Sequence, residues 1–326
     1  MTATNGRVSF GIKTSQSNVT YDEILKVWLE ADEEPVFEHA WLWDHFIPLR
    51  GPANGAALEA WTLLAALAAQ TKRLRLGIIV TSNRIRPPAV LAKMAATVDV
   101  IARGRLEFGI GAGGSAQRDP ALNQIVHREY DAYGIDVVPT PEAIGALGEA
   151  CTIIKRMWTE DEPFDFEGRH YQVKGAICEP KPVQRPRPPI MIGAAGEKLA
   201  LRVVAEHADI WNCPTRGDVD EFRRKSAVLD DHCAAIGRML LHDKTVEESH
   251  TGFLASGLGG LGWFSIVMVM FHVSVVQSAS ASARKAADDG SLPAGGQPAD
   301  HRAARRANAD SLRGFHVPLV FDIGGG

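Results

Sequence analysis

An acidic residue and an imidazole follow each other directly after a short apolar segment. Asp44 and His45 come after residues 40–43, which have the length and composition of a buried strand. In a parallel sheet, the carboxyl end of a strand lies at the edge where ligands bind. His45 would act there as a general acid or base near neutral pH, with Asp44 available to a neighbouring group. Both are candidate catalytic residues; the alternative is a histidine that only caps the loop after the strand.

Two turns of small residues also follow apolar segments. After residues 106–110 come Gly111, Ala112 and Gly113, and after residues 190–192 come Gly193, Ala194, Ala195, Gly196 and Lys198. Glycine lets backbone N–H groups approach an anion or a flat ring without a Cβ in the way. The second turn precedes a helical pattern, so its N–H groups and Lys198 are candidates for binding a cofactor phosphate. A tight connection between strand and helix is the alternative.

A third turn, formed by Thr81, Ser82 and Asn83, follows the apolar segment 74–80 and would face the same edge.

The first turn also matches the spacing G-x-G-x-x-G between residues 109 and 114. We do not interpret it as a dinucleotide-binding fingerprint, because that motif opens a helix and no clean helix start follows the glycines here, since Asp119 and Pro120 intervene.

Only a parallel sheet would bring these turns to one edge. Candidate strands lie at residues 8–12, 40–43, 74–80, 106–110, 190–192 and 210–211. Between and after them, apolar residues at helical spacing predict helices at 21–31, 57–71, 88–101, 142–158, 198–207 and 219–236. Strands that alternate with helices require parallel pairing. An open doubly wound sheet and an eight-stranded barrel both fit this spacing.

Two stretches depart from the alternation. Residues 164–187 alternate aromatic and charged side chains before a proline cluster, which indicates a β excursion able to cover a barrel mouth. Residues 251–282 contain no Asp, Glu, Lys or Arg and are long enough to span a bilayer, but five glycines in the first half weigh against that. The composition of residues 279–313 predicts disorder. We therefore predict a barrel domain at 1–238 and an atypical tail at 239–326.

Composition narrows the class of function. The 326 residues are 45% hydrophobic and 23% charged, which suits one large α/β domain. A net charge of -4 gives no electrostatic reason to bind nucleic acid or a membrane surface. The four cysteines lack the spacing of a metal site or a disulfide framework, and no secretory signal is visible at the start. We expect a cytoplasmic protein with a small-molecule substrate, without a metal; a homodimer is left open.

Several segments, taken in order, resemble the luciferase-like family, and most closely its actinobacterial members that use the deazaflavin coenzyme F420. They are WDHF, TSNRIRPPAVLAKMAATVDVIARGRLEFGIGAG, AYGIDVV, FEGRHYQV and PPIMIGAAGEKLALRVVAEHADIWN. The resemblance runs from about residue 8 to residue 238 and implies a TIM-like (β/α)8 barrel rather than an open sheet. It implies an F420-dependent oxidoreductase that transfers a hydride between a small organic substrate and the deazaflavin ring. An FMN-dependent monooxygenase is the alternative within the family.

The resemblance also implies roles for the three turns. His45 would lie beside the reactive ring as a cofactor contact and proton donor. Thr81, Ser82 and Asn83 match the turn where the family often has a non-proline cis peptide behind the ring. The turns at residues 111–113 and 193–196 match the loops that hold the cofactor ring and phosphate.

The chain departs from the family in three places. No tryptophan follows His45 within a few residues, so an alcohol or sugar-phosphate substrate is not implied, and Gly114 stands where relatives often carry a large aromatic residue. Nothing after Arg238 resembles the last two strands and helices of the family. We therefore predict a barrel that is irregular or incomplete at its end, with residues 267–276 pairing as a strand at the edge left by the sixth strand or forming a helix there. A reading-frame change is our hypothesis for the tail, and a catalytically impaired barrel is a further alternative.

Overall fold

The fold is described from a computed structural model. The structure describes residues 9–49, 52, 54–114, 120–215 and 218–241, together with four strands between residues 245 and 278. The predicted disorder at 279–313 lies outside the described residues, and the domain boundary after residue 238 stays a prediction.

A curled parallel sheet with helices on its outer face forms the body of the protein. Its strands are β1 (Ser9–Lys13), β2 (Phe37–Leu42), β3 (Arg75–Ile78), β4 (Thr81–Ser82), β5 (Leu106–Gly111), β8 (Ile190–Gly193) and β9 (Ile210–Cys213). β1, β2, β3, β5, β8 and β9 pair in that order, every pair parallel, and the short β4 pairs with β5. All six predicted strands are present, with boundaries that differ by a few residues.

Seven helices are described in this part of the chain. They are α1 (Tyr21–Glu33), α2 (Ala60–Gln70), α3 (Pro88–Ile101), α4 (Pro120–Ala132), α5 (Thr140–Thr159), α6 (Ala200–His207) and α7 (Val219–Ala235). Local sequence explains several of their ends: Thr20 and Glu23 form a capping box at α1, and Asp218 caps α7. The helix α4 is not among the predicted helices, because the sequence shows no clean helix start around Asp119 and Pro120. Proline is in fact well suited to the first helical position, where its missing N–H costs nothing.

The predicted excursion is a β-hairpin. The strands β6 (Phe164–Glu167) and β7 (Gln172–Ala176) pair with each other and not with the main sheet. Tyr171, in the connection between them, donates a hydrogen bond to the carbonyl oxygen of Asn83 at 3.3 Å. The hairpin therefore reaches the carboxyl end of the sheet, where the candidate turns lie.

The tail contributes five strands in an arrangement unlike that of a regular barrel. They are β10 (Arg238–Leu241), β11 (Thr245–Glu247), β12 (Gly252–Leu254), β13 (Ser265–Phe271) and β14 (Val275–Ser278). β11 runs parallel to β9, but β13 is antiparallel to both β11 and β1. A regular (β/α)8 barrel has only parallel strands, so this part of the chain is irregular, as predicted.

The predicted strand at residues 267–276 divides into two. β13 pairs mainly with β1, whereas β14 meets the sixth strand through Val275 and Ile210. The strand alternative is therefore correct, but most of the pairing is with the first strand. Within the described residues, no helix is both long and apolar enough to cross a membrane.

The apolar core has a large outer layer and a small inner one. Side chains alternate along each strand, so Ala40 and Leu42 face the helices while Trp41 faces the concave side of the sheet. Trp41, Ile79, Met191 and Ile210 form the inner cluster, with Val80 packed against it. This inner cluster lies on the concave side of the sheet, below the carboxyl ends of the strands.

Candidate active site

The concave face of the sheet ends in a row of small residues. Gly111 pairs with Gly193, and Gly193 pairs with Asn212, so the three lie side by side on β5, β8 and β9. A Cβ on Gly111 would lie 2.8 Å from Cγ2 of Val80, and one on Gly193 would lie 2.9 Å from the same atom. Val80 therefore fills the space that side chains at these two glycines would need. The row has an apolar centre with the Asn212 amide at one end.

The cis peptide implied by the resemblance lies just before its expected turn. The bond between Ile79 and Val80 is cis, and the turn Thr81–Ser82 follows it as β4.

Asp44 is fully engaged inside the protein. One carboxylate oxygen accepts from Thr81 Oγ1 at 2.6 Å and from the Ser82 backbone N–H at 3.0 Å, and Arg86 binds both oxygens at 2.8 and 3.1 Å. The Asp44 side chain is 1% exposed. This geometry favours a positioning role for Asp44, which holds the turn after β3 against the loop after β2.

The Thr81 and Ser82 side chains are also occupied by protein groups. Thr81 Oγ1 accepts from the Trp61 indole N–H at 3.0 Å, and Ser82 Oγ lies 2.6 Å from the hydroxyl of Tyr130. Burial raises the pKa of Tyr130 to about 12, so the hydroxyl keeps its proton at neutral pH. Of the three predicted residues in this turn, only Asn83 has polar side-chain atoms without a partner among the described residues.

The imidazole of His45 is hydrogen-bonded through Nδ1. Its Nδ1 lies 2.9 Å from Oε2 of Glu129, and the other carboxylate oxygen accepts from the Phe46 backbone N–H at 2.5 Å. The side chain of Glu129 is 2% exposed and that of His45 is 31% exposed. The rings of His45 and Trp43 also pack in a T-shaped arrangement, with centroids 6.1 Å apart.

Two glycines of the turn after β5 lie in the left-handed region of the backbone. Gly113 and Gly114 have φ values of +57° and +45°, and a Cβ on either would overlap Ser82 or the ring of Tyr130. Both positions therefore require glycine. The Tyr130 ring, supplied by α4, packs directly against Gly114.

The turn after β8 is braced by α7. Lys225 donates to the carbonyl oxygen of Ala195 at 2.6 Å and lies 3.3 Å from Glu221, and its side chain is 9% exposed. Lys198 is exposed, and α6 begins only at Ala200. The lysine that contacts this turn is therefore Lys225, which sequence reasoning did not identify.

A family model described as luciferase-like monooxygenase matches residues 3–241. The chain belongs to the luciferase-like monooxygenase family. A curated relative from Microbacterium testaceum, named F420-dependent glucose-6-phosphate dehydrogenase, is 32% identical over 70% of this chain and 63% of its own length. A protein of the same name from Amycolatopsis mediterranei is 32% identical over 73% of this chain and 67% of its own length.

Solved structures agree on the fold. A coenzyme F420-dependent tetrahydromethanopterin reductase from Methanopyrus kandleri superposes with a TM-score of 0.58 at 22% identity, over 75% of this chain and 66% of that one. This luciferase-like chain therefore has the curled parallel sheet of the family. It spans slightly less than two thirds of the length of the Microbacterium relative.

The residues present fit a flavin or deazaflavin. Among the buried polar atoms without a partner in the described residues, four lie at or just after the carboxyl ends of β4 and β9; they are Oδ1 and Nδ2 of Asn83, Nδ2 of Asn212 and Oγ1 of Thr215. Buried amides are normally hydrogen-bonded, because leaving one unpaired costs about 1–3 kcal/mol. The pyrimidine edge of a flavin or deazaflavin presents the carbonyl and N–H groups that such atoms bind, and a flat ring suits the glycine row.

Proposed function

We propose that this luciferase-like chain binds coenzyme F420 at the carboxyl ends of its parallel strands and transfers a hydride between the coenzyme and a small organic substrate. The observation that carries the proposal is the set of unpaired buried polar atoms of Asn83, Asn212 and Thr215 around the glycine row. The relatives named as F420-dependent dehydrogenases support the choice of F420 over FMN.

His45 is the acid or base of the proposed reaction. A bound deazaflavin supplies the carbon that accepts or gives the hydride. When a hydroxyl-bearing carbon is oxidised, the hydroxyl proton must go to a protein group, and Nε2 of His45 is the available atom. It has no partner among the described residues, whereas both oxygens of Asp44 are bound. Asp44 instead has a positioning role, because it binds Arg86 and the turn at Thr81 and Ser82.

The turn at residues 193–198 is the proposed phosphate end of the site. Gly193 lies in the glycine row, and the N–H groups that follow it lead towards the start of α6. Lys225 keeps the turn in place through the Ala195 carbonyl. We infer that the ring lies over Gly111 and Gly193, with the phosphate-bearing side chain of the coenzyme directed towards Gly196 and Lys198.

Titration of the purified protein with F420 and, separately, with FMN under anaerobic conditions tests the proposal. We expect saturable binding of F420, measured by its fluorescence and absorbance, and weaker binding of FMN. Tighter binding of FMN would favour the monooxygenase alternative. Binding of neither cofactor would favour an impaired barrel.

A pair of matched variants tests the placement of the cofactor. Asn83→Leu removes an amide without a partner, so we expect an unchanged or higher free energy of unfolding but at least about tenfold weaker F420 binding, or ~1.4 kcal/mol. Gln184→Leu is the control, because the Gln184 amide donates to Asp99 and to the Leu106 carbonyl, each within 2.8 Å. That variant should lose about 1–3 kcal/mol of stability and keep its F420 affinity. The reverse pattern would show that the cofactor lies elsewhere.

A further inference from the structure

Glu129 reaches the candidate active site from a helix that lies far away in the sequence. It is on α4, 84 positions after His45, and its carboxylate contacts two consecutive groups in the loop after β2. Oε2 faces the His45 ring and Oε1 accepts from the Phe46 backbone N–H. The carboxylate therefore sets both the position of the loop and the orientation of the ring.

The chemistry of this contact selects one form of the imidazole. An ionised carboxylate only accepts hydrogen bonds, so the 2.9 Å contact requires the hydrogen of the neutral ring to be on Nδ1. Nε2 then carries the lone pair and can take up a proton from a substrate. In histidine-dependent catalysis, a carboxylate on the far nitrogen orients the ring in this way and stabilises its protonated form.

Asp44 cannot perform this task, although it is the neighbour of His45 in sequence. Its two oxygens are bound by Arg86, Thr81 and the Ser82 N–H. Glu129, by contrast, is almost completely buried and has both oxygens on the loop that carries His45. The only carboxylate placed to orient this ring within the described residues is that of Glu129.

We propose that Glu129 is a positioning residue that holds His45 in the Nδ1–H form and leaves Nε2 as the atom that exchanges the proton. The catalytic consequence of this role rests on the proposed function, whereas the position of the hydrogen on the His45 ring does not. The two are therefore measured separately.

Nitrogen-15 NMR of the histidine side chains in the cofactor-free protein measures the form of the ring. The spectra are recorded at increasing alkaline pH until the nitrogen-15 shifts stop changing, so that the shifts themselves identify the neutral ring. We expect His45, assigned by its loss in His45→Gln, to carry its hydrogen on Nδ1. A wild-type His45 with the hydrogen on Nε2 would overturn the proposal, whether or not any variant at Glu129 folds.

Glu129→Gln tests the cause. Glutamine has one acceptor where glutamate has two, so it cannot accept from both His45 and Phe46, and we expect the hydrogen of His45 to shift towards Nε2. Glu129→Asp keeps two acceptors and should retain more of the Nδ1–H form. Asp32→Asn is the control, because the Asp32 carboxylate likewise accepts from backbone N–H groups, at residues 72–74 before the amino end of β3. An unchanged His45 signal in Glu129→Gln, or an equal shift in the control, would contradict the proposal.

The catalytic consequence has its own measurement. With F420 bound, Glu129→Gln should lower kcat by about a hundredfold, the smaller end of the contribution of a well-placed acid or base, and leave the F420 dissociation constant within about twofold. A wild-type protein without turnover but with Nδ1–H at His45 would refute the proposed function and support the positioning role. Equal kcat in wild type and Glu129→Gln would refute the catalytic part of that role.

Discussion

At the scale of single residues, the buried carboxylate of Glu107 on the concave face is paired, whereas two amides at the carboxyl end of the sheet are not. Near the amino end, Glu107 is bound by His39 at 3.0 Å and by Arg75 at 2.5 Å. At the other end, the amides of Asn83 and Asn212 lack partners among the described residues. A buried group that is satisfied contributes to folding, whereas an unsatisfied one costs free energy, and the position of these two amides beside the glycine row suits a ligand.

The Glu107 pair predicts how stability changes in acid. Burial alone would raise the pKa of Glu107, but His39 and Arg75 hold that pKa at about 2, below its ordinary value of 4.5. The stabilising effect of the ionised carboxylate is therefore present above pH 4.5 and is lost as the pH falls towards 2. We expect Glu107→Gln to be less stable than wild type at pH 7, by about 3–5 kcal/mol, because His39 and Arg75 lose their partner.

Chemical denaturation between pH 2 and pH 7 checks this expectation. The difference in the free energy of unfolding between wild type and Glu107→Gln should shrink as the pH falls below 4.5. Glu160→Gln is a suitable control, since Glu160 is bound by Arg156 on the exposed side of α5 and its loss should cost little. A difference that stays constant with pH would mean that Glu107 is not held ionised by its partners.

At the scale of elements, the packing of Val80 between two neighbouring strands sets the shape of the site. Val80 follows β3, while Gly111 and Gly193 end β5 and β8. A Cβ at Gly193 would lie 2.9 and 3.0 Å from the two methyl groups of Val80. Because valine is stiff at χ1, these methyl groups cannot turn away cheaply.

A double-mutant cycle tests this packing. Gly193→Ala should reduce the free energy of unfolding by about 1–3 kcal/mol, the usual cost of overpacking. Adding Val80→Ala should recover part of that loss, so that the double variant is more stable than the sum of the single changes predicts. Additive losses would mean that the two side chains do not compete for the same space.

Elements were easier to predict than contacts. The six parallel strands follow from short apolar runs between amphipathic helices, and the turns at Asp44, Gly111 and Gly193 follow from the strand ends. The pairing of His45 with Glu129 could not be predicted, since it depends on how α4 returns across the sheet. Pro120 was a usable signal for the start of α4, because proline favours the first turn of a helix. The unpaired amide of Asn83 became apparent only when its neighbours were placed around it.

At the scale of the whole molecule, the main sheet depends on strands from the atypical tail. β13 pairs with five successive residues of β1, and β11 pairs with β9. Without these strands, β1 and β9 would each present an unpaired edge, which exposes backbone N–H and C=O groups and promotes association between chains. Every strand pairing that the structure describes lies before residue 279.

Two truncated chains test the contribution of the tail. A chain ending at residue 278 keeps all the described strands, and we expect it to retain the melting temperature of the full chain and to remain dispersed. A chain ending at residue 238 loses the tail strands that pair with β1 and β9, and we expect a lower melting temperature together with association. Calorimetry and light scattering on the three chains measure both effects. The chain ending at residue 238 could instead melt like the full chain and stay dispersed. In that case the body of the sheet would be stable with its edges open, because the helices α1 to α7 and the outer apolar layer suffice to hold it.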